Sequence, residues 1–157
     1  MLINRTKNKV WHGRVEVADT FLKRFRGLML KPRVESALLF LLPAETRANA
    51  SIHTFFMLTE IDAIFLNGER RVVDVRRAKP WRLYVPQRAA RYVIETPPGV
   101  AEGLEVEPGD EIEWIVERPR ERAIPAPMGV LEDLGIGDVK GAINLAEPKL
   151  EEALKES

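Results

Sequence analysis

The sequence predicts a mainly β fold, a compact antiparallel β-sandwich or barrel with one or two short helices. Three observations carry this expectation. Seven or eight short apolar or alternating runs of strand length recur along the chain. Gly, Pro, Asn and Asp clusters separate them. Helical spacing is confined to two brief stretches, and 157 residues are enough for one β domain with a real core.

The elements follow in order. Val10 to Ala18 alternates, with Trp11, Val15 and Val17 on one side and His12, Arg14 and Glu16 on the other, as a half-buried strand does. Asp19 and Thr20 are good caps, and Phe21, Leu22 and Phe25 follow at helical spacing, so a short helix is expected near 20–26. Gly27 and Pro32 end it. Ser36 to Leu42 is a continuous apolar run closed by Pro43, the pattern of a buried strand. Ser51 to Leu58 is apolar on both faces, which predicts a central strand covered on both sides. In that setting Phe55, Phe56, Met57 and Met29 read as core.

Ala63 to Leu66 and Val72 to Val75 flank Asn67-Gly68, a hairpin signal, and the second strand can run on to Ala78 before Pro80. Arg91 to Thr96 is another strand, broken by Pro97-Pro98-Gly99. Val100 to Leu104 suits one helical turn. Glu111 to Val116 alternates, with Ile112, Trp114 and Val116 inward. Residues 1–117 thus form the expected β domain. Residues 118–157 read as a Pro- and Arg-rich linker with a short C-terminal helix packing on it.

Composition narrows the functional classes. Cysteine is absent, which removes disulfides, thiolate zinc sites, iron–sulfur clusters and Cys nucleophiles. No run approaches the roughly 18 apolar residues of a membrane span, and the first residues lack the apolar core of a signal peptide, so a cytoplasmic protein is expected. One Gln beside 31% charged residues resembles the composition of thermophile proteins.

Lys+Arg and Asp+Glu are both 24, but the charges segregate. Residues 1–94 hold 18 basic and 8 acidic side chains, and residues 95–157 hold 6 basic and 16 acidic. Residues 70–91 alone carry eight Lys/Arg against Asp74. Phosphate-backbone binding is one reading of that stretch. The favoured one is that the two halves fold together and neutralise each other, because no Gly-rich phosphate loop or aromatic interleaving accompanies the basic run. Nucleic acid is therefore not expected as a partner.

Several segments, in this order, carry a family resemblance. They are Arg26-Gly27-Leu28-Met29, the strand Ala37 to Leu42, Ile52-His53-Thr54-Phe55-Phe56-Met57 and Ile61-Asp62-Ala63-Ile64-Phe65-Leu66. Val72-Val73-Asp74-Val75, Pro80-Trp81-Arg82, Ala90 to Gly99 and Gly109-Asp110 continue the series. Over about residues 12–116 the chain resembles the domain-of-unknown-function 192 family, also called uncharacterised protein family 0127. The resemblance implies a compact, mostly β domain and implies no activity. One departure is Leu58-Thr59-Glu60, where family members commonly carry a basic residue after the Phe-Met pair.

The residues that carry chemistry are few. His53 precedes Asp62 by nine positions, and a hairpin would bring the two together as a general base and its orienting carboxylate, with Arg26 or Arg82 clamping an anion. Against that stands a core histidine and a structural carboxylate. Trp81-Arg82 is the best recognition pair, since both types concentrate at binding hot spots. The alternative places Trp81 as a plug at the end of the barrel. No nucleophile elbow surrounds Ser51, and no metal-ligand spacing joins His12 and His53, so neither metal nor cofactor is expected. The expectation is a small soluble non-enzymatic binding module, monomer or homodimer, recognising a small ligand or protein through Arg26, His53, Trp81 and Arg82. The His53–Asp62 enzyme is the alternative.

Overall fold

The computed structural model describes residues 1–18 and 28–117, which lie in the compact unit Met1–Arg118. The helix expected near 20–26 and the tail from residue 118 lie outside the described residues. Ten strands and one short helix are described: β1 (Leu2–Asn4), β2 (Lys9–Trp11), β3 (Val15–Ala18), β4 (Ala37–Thr46), β5 (Ile52–His53), β6 (Ile61–Leu66), β7 (Val72–Ala78), β8 (Leu83–Tyr84), β9 (Ala90–Thr96), α1 (Val100–Gly103) and β10 (Ile112–Trp114). They form a five-stranded sheet in the order β3-β4-β9-β6-β7, a three-stranded sheet β10-β1-β2 and a two-stranded sheet β5-β8. The fold is mainly β and sandwich-like, with no closed barrel.

The five-stranded sheet has two apolar faces. Residues opposite one another across a pair share a face. Val15, Ala37, Leu39, Ile94, Ile64 and Leu66 share one and pack with Leu2, Leu104 and Ile112. Phe40, Val93, Ala63 and Phe65 share the other. Its far end, at Ile61 and Ala78, is covered by Leu28, Val34, Met57 and Tyr84. That second face supports the surface described below.

Several expectations change in contact with the structure. Pairing is not purely antiparallel: β3 runs parallel to β4. The 18 residues between Ala18 and Ala37 are enough for the crossover that a parallel pair needs. The strand expected over 10–18 is two strands, parted at Gly13. A Cβ there would stand 2.0 Å from the Trp11 ring, so the chain bends around that indole. Pro43 does not end β4. Pairing with β3 stops at Phe40, and the register with β9 shifts between Leu41 and Thr46, so nothing there requires the missing N–H.

The hairpin β6–β7 closes through a longer loop than Asn67-Gly68 alone. Asn67 Oδ1 accepts the N–H groups of Glu69 and Arg71, each at 3.0 Å, and Arg70 takes the positive φ of 61°. The strand expected over 51–58 is only Ile52–His53, because the chain turns at Phe55 and Phe56. Asn4 anchors β1 to the turn before β10: its Nδ2 donates to the Leu104 carbonyl and to Asp110 Oδ2, both at 2.9 Å.

The charge halves meet in ion pairs. Lys7 reaches Glu107 at 2.6 Å and Asp110 at 3.2 Å, Lys9 reaches Glu105 at 3.2 Å, and Arg71 reaches Glu111 at 3.5 Å. Arg5 pairs with Glu113.

Candidate functional site: an exposed aromatic face

The site is built on Thr54, which is fully buried immediately after β5. Its N–H donates to the Arg82 carbonyl at 2.8 Å, and its own carbonyl accepts the Trp81 N–H at 2.8 Å. Its hydroxyl donates to the Lys79 carbonyl at 2.6 Å and accepts the Arg82 N–H at 2.9 Å. A small β-branched hydroxyl residue does what no apolar residue could here, tying two loops together with both ends of one O–H. A third segment joins through the Leu30 N–H, which donates to the Phe56 carbonyl at 2.9 Å.

Within these loops small steps along the chain alternate between core and solvent. Leu28 and Met57 are buried and cover the end of the sheet. Leu30 (65% exposed), Phe56 (49%) and Trp81 (59%) face water, and Phe55, Leu58, Leu83 and Val85 in the same segments are exposed as well. Phe56 and Trp81 rings lie 4.7 Å apart at 57°, and Phe55 and Trp81 lie 6.4 Å apart at 49°. His53 stacks on Phe55 at 5.4 Å and pairs across the two-stranded sheet with Leu83. Trp81, Arg82, Leu83 and Val85 are all exposed, so β8 and its flanks are largely open to solvent.

The backbone beneath these side chains is strained. Leu30 (φ 60°), Phe56 (φ 61°) and Trp81 (φ 60°) all occupy the left-handed region, which costs a bulky residue ~1–3 kcal/mol. All three are large, apolar and exposed, and they converge on one face. Core packing does not repay that cost, because the side chains are not in the core.

The expected site residues are thus distributed in two places. His53 and Trp81 join through Phe55, and Arg82 is held beside them by Thr54. Arg26 lies outside the described residues. Asp62 lies in the five-stranded sheet, on β6. Its Oδ1 accepts Arg77 Nε at 2.6 Å, and its Oδ2 accepts the N–H groups of Gly99 at 2.8 Å and Ala101 at 3.0 Å. The hairpin that would pair His53 with Asp62 does not form, because β5 pairs with β8 while β6 pairs with β7 and β9. Asp62 and Arg77 border an open cleft of about 630 Å³ near Lys7 and Glu107. The core role expected for Phe55 and Phe56 is corrected too, and only Met57 of that trio is buried.

Glu95 is buried on β9, opposite Leu38 and Ala63, and burial raises its pKa to about 8. Asp110 behaves oppositely. Its burial works to raise its pKa, but hydrogen bonds from Asn4, the Glu107 N–H and Lys7 outweigh that and hold it below the ordinary carboxylate value.

A mainly β domain of three small sheets carrying an exposed aromatic face is the class this geometry defines. The chain belongs to the DUF192 family, described as "Uncharacterized ACR", whose model matches residues 2–114. A UPF0127 protein of Thermococcus sibiricus is 62% identical over 149 residues, 95% of this chain and 96% of that one. A UPF0127 protein of Pyrococcus furiosus is 53% identical over 114 residues, which are 72% of this chain and 97% of that one. These relatives come from thermophilic archaea, in line with the composition. A solved protein of unknown function from Novosphingobium aromaticivorans superposes with a TM-score of 0.61 at 26% identity, covering 72% of this chain and 81% of its own. A putative transcription regulator from Sinorhizobium meliloti superposes at 0.62 with 21% identity, covering 71% and 88%, and shows the same fold. Among the described residues no helix is long and apolar enough to cross a membrane.

Proposed function

We propose that this protein is a non-enzymatic binding module and that the face formed by Leu30, Phe55, Phe56, Trp81 and Leu83, with Arg82 and His53 at its margin, is its recognition surface. One observation carries the proposal. Three bulky apolar side chains stand in solvent on left-handed backbone at one place. Contiguous exposed apolar surface marks an interaction site, and strain of this kind persists at sites where function requires the geometry. Aromatic residues and Arg also dominate the energetics of partner contacts.

The test separates a binding surface from a structural one. Glycine occupies positive φ without strain but gives up more chain entropy on folding. Phe56→Gly and Trp81→Gly should therefore leave the fold at least as stable, with a gain of about 1 kcal/mol in urea unfolding. Both should lose uptake of an apolar reporter dye. If either variant unfolds several kcal/mol more easily, its ring holds the fold together and the proposal fails.

A further inference from the structure

We infer that the occupant of this face is an acidic polypeptide segment bearing apolar anchor side chains, an inference that rests on the binding role proposed above. The ground for it is charge. Among the described residues Arg5, Lys7, Lys9, Arg14, Arg71, Arg76 and Arg77 each lie within ion-pair distance of a carboxylate. Exposed Arg47, Arg70 and Arg88 pair with none of the described carboxylates, but Arg47 donates to the Pro86 carbonyl at 2.9 Å and Arg70 lies over the Trp114 ring at 4.3 Å. Lys31, Arg33, Lys79 and Arg82 are likewise exposed and pair with none of the described carboxylates. These four belong to the segments that present Leu30 and Trp81. Lys31 and Arg33 also line a cleft of about 490 Å³ beside Leu28 and Val34, together with Arg14, Glu16 and Glu35. Of the acids in the same segments, Glu60 is drawn off toward Arg77 at 3.8 Å, and Glu35 is exposed beside Arg33, which leaves the cations in excess.

An excess of exposed cations that pair with none of the described carboxylates, beside an apolar face, favours a partner of opposite charge, because complementary potential sets partner choice and encounter rate. A two-fold pair of these faces would set the same cations against each other, which disfavours a second copy of the chain. Nucleic acid fits less well than polypeptide. Phe55 and Phe56 tilt against Trp81 at 49° and 57°, and Leu30, Leu58, Leu83 and Val85 are exposed aliphatic side chains of the same segments. Single-strand binders instead offer aromatic rings on which successive bases stack. A surface of tilted rings and aliphatic side chains within a basic rim matches a protein interface, with its apolar centre and polar margin.

The experiment uses the full chain and fluorescein-labelled dodecapeptides of alternating leucine and glutamate, leucine and lysine, or serine and glutamate, read by fluorescence anisotropy. The leucine–glutamate peptide should bind about tenfold or more tightly than either of the others. Its affinity should fall as salt rises. The double variant Lys79→Glu/Arg82→Glu, with thermal unfolding checked against wild type, should shift preference toward the leucine–lysine peptide. Equal binding of the leucine–glutamate and leucine–lysine peptides, both lost in Trp81→Gly, would overturn the inference while leaving the binding face intact. Trp81-dependent binding of oligo-dT or of phosphatidylglycerol vesicles, with no peptide bound, would overturn it in favour of another class of partner. Trp81-independent behaviour with every probe would remove the inference and the binding role together.

Discussion

The Phe56 and Trp81 rings lie 4.7 Å apart on two separate loops, each on left-handed backbone, and both face solvent. Thr54 joins them, one residue beyond β5, by bonding the backbone on both sides of Trp81.

Thr54 is therefore the position at which the face is most easily loosened. Thr54→Val keeps the shape and removes the hydroxyl, leaving the Lys79 carbonyl and the Arg82 N–H without it. We expect a loss of ~1–3 kcal/mol and faster amide exchange at Trp81 and Arg82 than in the five-stranded sheet. Hydrogen exchange resolved by residue checks this, and uniform protection across both loops would count against the role given to Thr54.

Glu95 should set the alkaline side of stability. Its carboxyl holds a proton up to about 8 in the folded chain, against an ordinary 4.5. Between those values the folded state binds the extra proton, so stability falls as pH rises through that window. Its neighbours across the sheet are Leu38 and Ala63, with Glu16 beyond Leu38 and Arg76 beyond Ala63. Glu95→Gln should match wild type near pH 4 and exceed it by a few kcal/mol above about pH 8. Urea unfolding across that range measures it, and parallel pH curves for the two proteins would refute it.

The Asn4–Asp110 contact should set the acid side. Asp110 is held below its ordinary value when folded, so the stability it contributes is present above that value and lost as pH falls toward the folded one. Asn4→Leu leaves the buried carboxylate without its 2.9 Å donor and should cost ~2 kcal/mol near neutral pH. The acid unfolding midpoint should also move upward. An unchanged midpoint would show that Lys7 and the Glu107 N–H suffice.

Asp62 should prove structural. Asp62→Ala removes the acceptor for Arg77 and for two backbone N–H groups before and within α1. We expect a loss of ~3 kcal/mol or more, with peptide binding at the aromatic face unchanged once the variant is refolded at low temperature. Lost binding in a folded variant would tie Asp62 back to the site.

The β domain should also stand alone. A Pyrococcus relative is 97% covered by a 114-residue match, and the family model matches residues 2–114. A chain ended at Glu117 should unfold cooperatively with a melting temperature close to that of the full chain. A broad or absent transition would show that the domain needs residues 118–157.

The sequence made the large sheet legible and the site only in part. Ala37 to Leu42, Ile61 to Leu66 and Ala90 to Thr96 are runs long enough for periodicity and turn residues to agree. β1 and β8 are too short for periodicity to register. Their stability comes from Asn4 and Thr54, whose partners are distant in the chain. Trp81 and Arg82 stood out by residue type. Phe55 and Phe56 did not, because an apolar run reads as buried, and positive φ at a bulky residue leaves no compositional trace. The one available signal is that the apolar Phe55-Phe56-Met57-Leu58 run gives way at once to the polar Thr59-Glu60. His53 and Asp62 were paired by sequence distance, whereas strand order separates them.

The most direct measurement uses the three tryptophan indole N–H signals in a nitrogen–proton correlation spectrum, recorded while the leucine–glutamate peptide is added. Trp11 rests against Gly13 and Trp114 lies under Arg70 at 4.3 Å, so both serve as internal controls. The Trp81 signal should move progressively to saturation while the other two hold still. A stationary Trp81 signal, with Trp114 or Trp11 moving instead, would contradict the assignment of the aromatic face as the binding surface.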